Sequence, residues 1–486
     1  MLEKFDDQTI ERIFGAEDAE NEEDKRFKEY FFFNRTYSNI SIDMPIRILV
    51  GHKGIGKSAL LRRAYLENEE NSELAVWVKP NDLTAHISGN EQLEFNQLIE
   101  HWKDGLLSAV ALKAFNRLGP TGQNGNQQVR FKQLRSGASS LIQIIAEYAN
   151  KKISVSDAVT KNIVTNFLNT RKIFIYIDDI DRGWNASEGS IKNISALLNA
   201  LRDLSGADRN LKFRIGLRTD VYYLVRTSDE STDKIERNVV WLSWTNHEIL
   251  AVIAKRIETF FGSTIDQEGI IKLNQTDMSR NILSKVITPT FEGQGHWSKR
   301  PIHNVLLSLT RKRPRDLVKL LHGAARNAFV HDNTRISTQN LEAAFEPYSS
   351  ERLQDTINEF RSELPQIEQL LIGMRPTKRQ RRTSENYLYT TDQLILKMKE
   401  VIGHSNLFYT NRKQVSPKSL IQFLHKIDFI TARKDLDDRI ERKYFDQNRF
   451  LANEFTDFGY DWEVHPAYRW ALQPQDVHDI WAQIKV

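Results

Sequence analysis

The chain has 486 residues, of which 40% are hydrophobic, 27% charged and 10% aromatic. That is a globular mixture, long enough for about three domains. The absence of cysteine from the sequence removes disulfides, thiolate nucleophiles, thiolate zinc sites and Cys-held iron–sulfur clusters together.

Net charge is only +4, from 68 Lys and Arg against 64 Asp and Glu, so any electrostatic attraction for a partner has to be local. The 12 histidines include no H-E-x-x-H pattern, and a structural metal is not expected. The amino terminus, MLEKFDDQTIERIF, lacks the positive flank and apolar core of a secretion signal, and no apolar run is long enough to cross a bilayer. The expected location is the cytoplasm, with no membrane partner.

Residues 1–40 read as a lead-in, acidic over 1–30, where eleven acids face five bases. Its aromatic run Tyr30, Phe31, Phe32 and Phe33 is expected to pack against the next domain, since left in water it would promote association; the same stretch is placed to bring a residue near a bound base. From Ile46 strand and helix alternate. IRILV is a strand, GHKGIGKS a glycine-rich turn, ALLRRAYLENEE a helix, and LAVWVKP a strand that Pro80 ends. Phe95–Phe115 is helical, residues 119–128 form a glycine-rich loop, and helices follow around 130–150 and 155–169. KIFIYIDDIDR (172–182) is an apolar strand ending in acids, as in a parallel sheet covered on both faces. A helix over Ile191–Leu204, the strand LKFRIGL (211–217) and VVWL (239–242) complete a doubly wound α/β pattern over 41–244.

Thr245 then caps a helix, with Glu248 as its reciprocal partner and Ile249, Val252, Ile253, Ile257 and Phe260 near one face. Residues 245–350 read as a mainly helical lid, in which Pro314 of RKRPRDL opens a helix. Residues 351–486 mix helices and short strands: Asp392–Val401 and Pro417–Ile427 as helices, then FITARKD leading into a strand, a pattern compatible with a winged helix. Lys418, His425, Lys426, Arg433 and Lys434 suggest a partly basic surface there, interrupted by Asp428, Asp435, Asp437 and Asp438. Trp462, His465, Tyr468 and Trp470 are expected to close a small core. Arg375, Lys378, Arg379, Arg381 and Arg382 form a dense basic cluster that suits either a solvated loop or a nucleic-acid backbone.

Gly51-His52-Lys53-Gly54-Ile55-Gly56-Lys57-Ser58, followed by Ala59, matches G-x-x-x-x-G-K-S between a strand and a helix. Glycines let the backbone curl around phosphate, and successive amides and the helix amino end face the anion. Residues 51–59 are therefore the candidate nucleotide-binding turn, with Lys57 reaching the β and γ phosphates and the Ser58 hydroxyl on Mg2+. Asp178, at the end of the apolar strand, is the candidate second magnesium contact, and Asp179 beside it is placed to orient an attacking water. Arg182 either pairs with Asp181 or meets phosphate on a neighbouring subunit. Arg218-Thr219-Asp220, at the tip of LKFRIGL, is placed to sense the γ-phosphate. Arg237 is a candidate finger supplied in trans, and Arg315 a candidate contact from the lid.

Gly51–Ser58, Asp178–Arg182, the Arg218 tip and R-P-R-D-L together resemble the P-loop ATPases of the AAA+-related group that includes STAND proteins, KAP ATPases and origin-recognition-like ATPases. The resemblance covers about residues 30–345. More narrowly, N-R-T-Y-S-N-I, G-H-K-G-I-G-K-S-A-L and the late W-E-V-H-P-A-Y-R-W-A-L look like a bacterial P-loop ATPase family associated with phage defence. The resemblance implies a P-loop NTPase core with a parallel five-stranded sheet, a helical lid and a winged-helix-like α+β module. It also implies ATP rather than GTP. Lys57 and Ser58 match Walker A, Asp178 and Asp179 match Walker B, Arg218 lies near sensor 1, and Arg315 resembles a sensor-2 arginine.

STAND proteins commonly carry long sensing repeats, and no repeat is visible in this sequence, which points to a separate protein effector or sensor. The expected function is an ATP-binding and ATP-hydrolysing switch controlling a partner effector, with assembly into a homo-oligomer. The alternatives are a DNA-binding replication, loading or transposition ATPase, and a nucleotide-dependent scaffold with little turnover.

Overall fold

The computed structural model describes residues 4–16, 22–83, 93–119, 138–152, 157–228, 230–263, 265–377, 387–436, 440–447 and 459–473. The chain divides into two compact units, Arg35–Leu242 and Met1–Asn34 together with Ser243–Val486. Among the described residues no helix is long and apolar enough to cross a membrane.

In the first unit five strands lie parallel: β1 Ile46–Val50, β2 Ala75–Val78, β3 Ile173–Ile177, β4 Leu211–Leu217 and β5 Val239–Trp241. Their order is β2-β3-β4-β1-β5, so β4 enters between the two strands that carry the phosphate turn and the acids. Ile215 of β4 pairs with Ile48 on one side and Ile177 on the other. All seven residues of β4 are buried, which a strand hydrogen-bonded on both edges and covered on both faces requires. On one face helix Lys57–Glu70 lies along β2, β3 and β4. There Tyr65 meets Trp77 and Tyr176 edge-on at 5.7 Å, and those two rings stack at 5.9 Å. Helices Phe95–Arg117 and Glu188–Ala207 pack against each other, the first on β2 and the second on β4 and β1. Trp102 of the first fixes the pair by donating its indole N–H to the Asn193 carbonyl at 3.1 Å.

Arg214 secures the entry to this sheet. It is 1% exposed, and its guanidinium donates to the carbonyls of Ile40, Ile42 and Met44 at 2.7, 2.7 and 2.9 Å. A buried cation is tolerated where carbonyl dipoles replace its water.

In the helix-rich unit the Thr245 cap forms as its sequence predicts: Thr245 N–H donates to Glu248 Oε2 at 2.8 Å, and Glu248 N–H returns to Thr245 Oγ1 at 3.1 Å. Helix Asn246–Phe260 buries Ile249, Val252, Ile253 and Ile257. Pro314 stands in the first turn of helix Pro314–Val330, which packs along helix Thr338–Phe360. The aromatic lead-in belongs to this unit: Tyr30, Phe31 and Phe32 are buried, with Phe32 6.2 Å from Trp244.

Two-residue strands β6 Thr290–Phe291 and β7 Arg300–Pro301 form a small ribbon. β8 Leu388–Tyr389 is followed by helices Thr391–His404 and Pro417–Lys426 and then by β9 Ile430–Asp435, β10 Ile440–Lys443 and β11 Asp461–Val464; the four strands form one sheet ordered β10-β9-β11-β8. Trp462, His465, Tyr468 and Trp470 are all buried. The Trp462 indole finds Thr391 Oγ1 at 3.2 Å, and Tyr468 Oη accepts from Arg311 at 2.8 Å.

Of the five residues expected to give this module a basic surface, three are withdrawn from it. His425, Lys426 and Arg433 are buried. Lys426 is bound by both oxygens of Glu363, and Arg433 donates to Glu463 Oε2 at 2.9 Å and to Asp435. Asp428, expected to interrupt that surface, is instead buried against Arg313 at 2.9 Å. A buried charge without a partner would be expensive, so Lys426 and Arg433 are retained only because Glu363 and Glu463, distant in sequence, meet them. Lys418 and Lys434 remain exposed. Lys378, Arg379, Arg381 and Arg382, Asp437 and Asp438, and most of the 119–128 loop lie outside the described residues; Arg375 is described and exposed.

Candidate nucleotide-binding site

The phosphate turn begins where β1 stops. The Gly51 N–H donates to the Leu217 carbonyl of β4 at 3.2 Å, so the turn leaves from the carboxyl edge of the sheet. Gly56 caps helix Lys57–Glu70 with φ 103°, left-handed backbone in which a side chain is strained. The helix can therefore begin immediately beyond the turn, and its first amides, which have no carbonyl one turn back, face outward from its amino end. His52 and Ile55 are buried and Lys53 is exposed. The Lys57 ammonium donates to the carbonyls of Gly51 at 2.7 Å and His52 at 3.1 Å, which holds it against the turn itself.

Asp178 follows β3 and is 5% exposed. Burial pushes its carboxyl up to about 6, helped by the neighbouring Asp179 charge, while a hydrogen bond from Ser58 and the Lys57 charge pull the other way. Its Oδ2 is buried with no hydrogen-bond partner. Asp179 is exposed and sits at φ 54°, where a non-glycine residue is uncommon. Its carbonyl accepts from the Arg182 amide at 2.9 Å. Two acids adjacent in sequence thus occupy unlike surroundings, one buried against Ser58 and one facing solvent.

These residues fit a magnesium–nucleotide pair. A hydroxyl and a carboxylate are the hard oxygen donors that Mg2+ takes, usually with water and phosphate oxygens completing the shell, and the orphaned Asp178 oxygen is an acceptor without a donor. Lys57 beside a helix amino end supplies positive charge for phosphate.

Beyond β4, Arg218 grips Asp220 through two nitrogens, one at 3.0 Å. Its amide donates to Asp181 Oδ2 at 3.3 Å, and its Nε lies 3.8 Å from that oxygen. Asp181 therefore pairs with Arg218, which corrects the local Asp181–Arg182 pair open in the sequence; Arg182 is exposed. The reason is topological, because β4 runs beside β3 and brings residue 218 to 181. Burial raises the Asp181 carboxyl, against the pull of Arg218. Thr219 is buried, and its Oγ1 has no hydrogen-bond partner. Arg237 is exposed just before β5.

The α/β unit thus brings together the turn, Ser58, Asp178, Asp179, Arg182 and Arg218 at one sheet edge. Arg315 stands at the start of helix Pro314–Val330 in the helix-rich unit, half-buried. Sequence reasoning missed the pairing of Asp181 with Arg218, for which the i, i+2 spacing of Arg218 and Asp220 was a usable signal.

Residues 248–357 match a family model described as a FunZ-associated C-terminal helical domain. An 80.3 kDa protein of Escherichia coli (strain K12) named for transposon gamma-delta is 22% identical over 514 aligned positions, spanning 96% of this chain and 69% of its own length. Among solved structures, Cdc6p of Pyrobaculum aerophilum is 13% identical with a TM-score of 0.32, covering 92% of this chain and 97% of its own. The ORC2 protein of Aeropyrum pernix, in its ADPNP–ADP complexes, is 10% identical with a TM-score of 0.37, covering 89% of each chain. The RuvB Holliday junction branch migration motor of Thermotoga maritima is 11% identical with a TM-score of 0.29, covering 69% of this chain and 78% of its own.

Proposed function

We propose that this protein is a magnesium-dependent ATPase that works as a nucleotide-controlled switch for a separate protein effector. The observation that carries the reading is the convergence of Lys57, Ser58 and Asp178 at one sheet edge, with Asp178 Oδ2 buried and unpartnered.

In this reading the amides of residues 51–59 hold the β and γ phosphates, and Lys57 exchanges its loop carbonyls for phosphate oxygens. Ser58 and Asp178 would hold Mg2+, which would supply charge neutralisation on the transferring phosphoryl group. Asp179, turned to solvent, orients the water that attacks the γ-phosphate. Arg218 passes from Asp220 to the nucleotide as a sensor; Arg182, or Arg237 of a second copy, adds charge to the transferring group in a homo-oligomer, and Arg315 reports the nucleotide to the helix-rich unit. ATP is preferred over GTP by family resemblance, which also suggests phage defence as the setting in which the effector acts.

Nucleotide affinity and phosphate release, measured on Asp178→Ala and Asp179→Ala, test these assignments. Asp178→Ala should lose magnesium-supported binding. Asp179→Ala should keep binding and lose release, and normal turnover by that variant would remove its role.

A second reading, an ATPase that acts on DNA in transposition, is favoured by one observation: the relative named for transposon gamma-delta aligns with 96% of the chain. DNA titration at several salt concentrations separates the two, since backbone contacts lose affinity steeply with salt.

A further inference from the structure

Strand order sets a problem that the nucleotide site has to solve. The phosphate turn follows β1 and the acid follows β3, but the order β3-β4-β1 places a whole strand between them. Neighbouring strands stand about 4.8 Å apart, so the ends of β1 and β3 are separated by roughly 10 Å. Yet Asp178 Oδ1 lies over Gly216 of β4, and the carboxylate is close enough to Ser58, in the first turn of the helix that follows β1, for that hydroxyl to pull its pKa down. The carboxylate must cross β4 to come that close.

The register shows where it crosses. Ile177 pairs with Ile215, so the next residue on each strand, Asp178 and Gly216, stand side by side with their side-chain directions on the same face. Gly216 also pairs with Leu49 of β1. A Cβ built on Gly216 would lie 2.5 Å from Asp178 Oδ1 and 3.2 Å from Leu61 Cδ1 of the helix above. The first separation is too short for non-bonded atoms, and the helix closes the space over it. Backbone conformation does not require this glycine, since Gly216 is absent from the positive-φ residues. Nor does strand propensity, which glycine weakens. What its missing side chain provides is the trough in which the Asp178 carboxylate lies.

We infer that Gly216 is a positioning residue of the nucleotide site: the bare backbone of β4 at this level lets Asp178 lean across the intervening strand to meet Ser58. The magnesium part of this inference rests on the proposed function; the steric part does not. A methyl group at 216 pushes the carboxylate off Ser58 and out of the position in which one oxygen is left for the metal.

The test is a double-mutant cycle of Gly216→Ala and Asp178→Ala, read by ATP affinity with Mg2+ and with EDTA, and by thermal midpoint. Gly216→Ala should lower magnesium-supported ATP affinity by about tenfold or more while changing affinity in EDTA by less than about twofold, as for a residue that orients a metal ligand. It should also lower the midpoint of the parent, but much less in the Asp178→Ala background, where the clashing carboxylate is gone. Equal destabilisation in both backgrounds would overturn the inference, because the methyl would then clash with something other than Asp178. If Gly216→Ala does not fold, recovery of folding in the double variant supports the inference, and failure of both overturns it. A folded Gly216→Ala protein with unchanged magnesium dependence overturns it while leaving the proposed function standing. A parent that binds no nucleotide removes the proposed function and the magnesium part with it, and the thermal cycle then decides the steric part.

Discussion

Asp178 is held at some cost to the fold. Its carboxyl is raised from 3.8 to about 6, chiefly by burial, so it holds its proton more tightly folded than unfolded. Its charge therefore destabilises the folded chain above pH 6, and the penalty fades as pH falls toward 3.8. Asp178→Asn should accordingly raise the stability of the nucleotide-free protein at neutral pH, by roughly 1–3 kcal/mol at most. The same change should abolish the effect of Mg2+ on nucleotide affinity, a trade of activity for stability. Thermal melts paired with nucleotide titrations check both halves. A lower melting temperature for the Asn variant would mean that the carboxylate is a structural asset rather than a ligand in waiting. Lys57 and Ser58 were readable from their motif, because a phosphate turn is local. Gly216 was not, since the need for a bare position arises only once β4 has been placed between β1 and β3.

At the scale of elements, what could be read locally was found. Thr245 with Glu248, Pro314, and the apolar runs 46–50, 173–177 and 211–217 each declare a cap, a helix start or a strand within a few residues, and each is present. What failed were inferences about which side chains reach solvent. Lys426 meets Glu363, 63 residues away, and Arg433 meets Glu463 across 30; no periodicity within one helix or strand announces such a partner.

The same buried charges make the helix-rich unit acid-sensitive. Burial lowers His425 from 6.5 to about 4, and burial with the nearby Arg442 charge lowers His465 as well. Both stay neutral in the fold and take up protons on unfolding, so stability should fall as pH drops below 6.5 toward 4. Burial opposes the charge of Glu463, yet Arg442, Arg469 and Arg433 hold its carboxyl down to about 2 from 4.5. Its contribution is complete above 4.5 and is lost as pH falls from there through 2. Melting followed by a probe in this unit should therefore decline in two overlapping stages, with His425 alone contributing on the order of 3 kcal/mol to the histidine stage. A stability flat from pH 7 to pH 4, within about 0.5 kcal/mol, would contradict the neutral state assigned to the histidines.

For the whole molecule, the two compact units divide the expected machinery: the phosphate turn and its acids lie in Arg35–Leu242, and Arg315 lies in the other unit. If Arg315 reports the nucleotide, magnesium–ATP should change the distance between labels placed one in each unit, and Arg315→Ala should blunt that change. The same response in variant and parent would remove the role. Burial of Lys426 and Arg433 takes two cations away from the surface of the carboxy-terminal module, which favours the proposed protein docking over DNA contact there. Neutralising Lys378, Arg379, Arg381 and Arg382 should then alter the size of assemblies and leave DNA behaviour unchanged. A strong parental DNA interaction whose salt slope shrinks in that variant would favour the transposition reading instead.

If residues 51–59 and Asp178 form one magnesium–nucleotide site, calorimetric titration of ATP into the parent and into folded Lys57→Ala, each with Mg2+ and with EDTA, will show it. The parent should bind ATP more tightly with Mg2+, and Lys57→Ala should lose affinity by about a hundredfold, the order expected when a buried charge-assisted contact is removed. ATP affinity that is the same in Lys57→Ala as in the parent, or a parent that binds no ATP in magnesium, would contradict it.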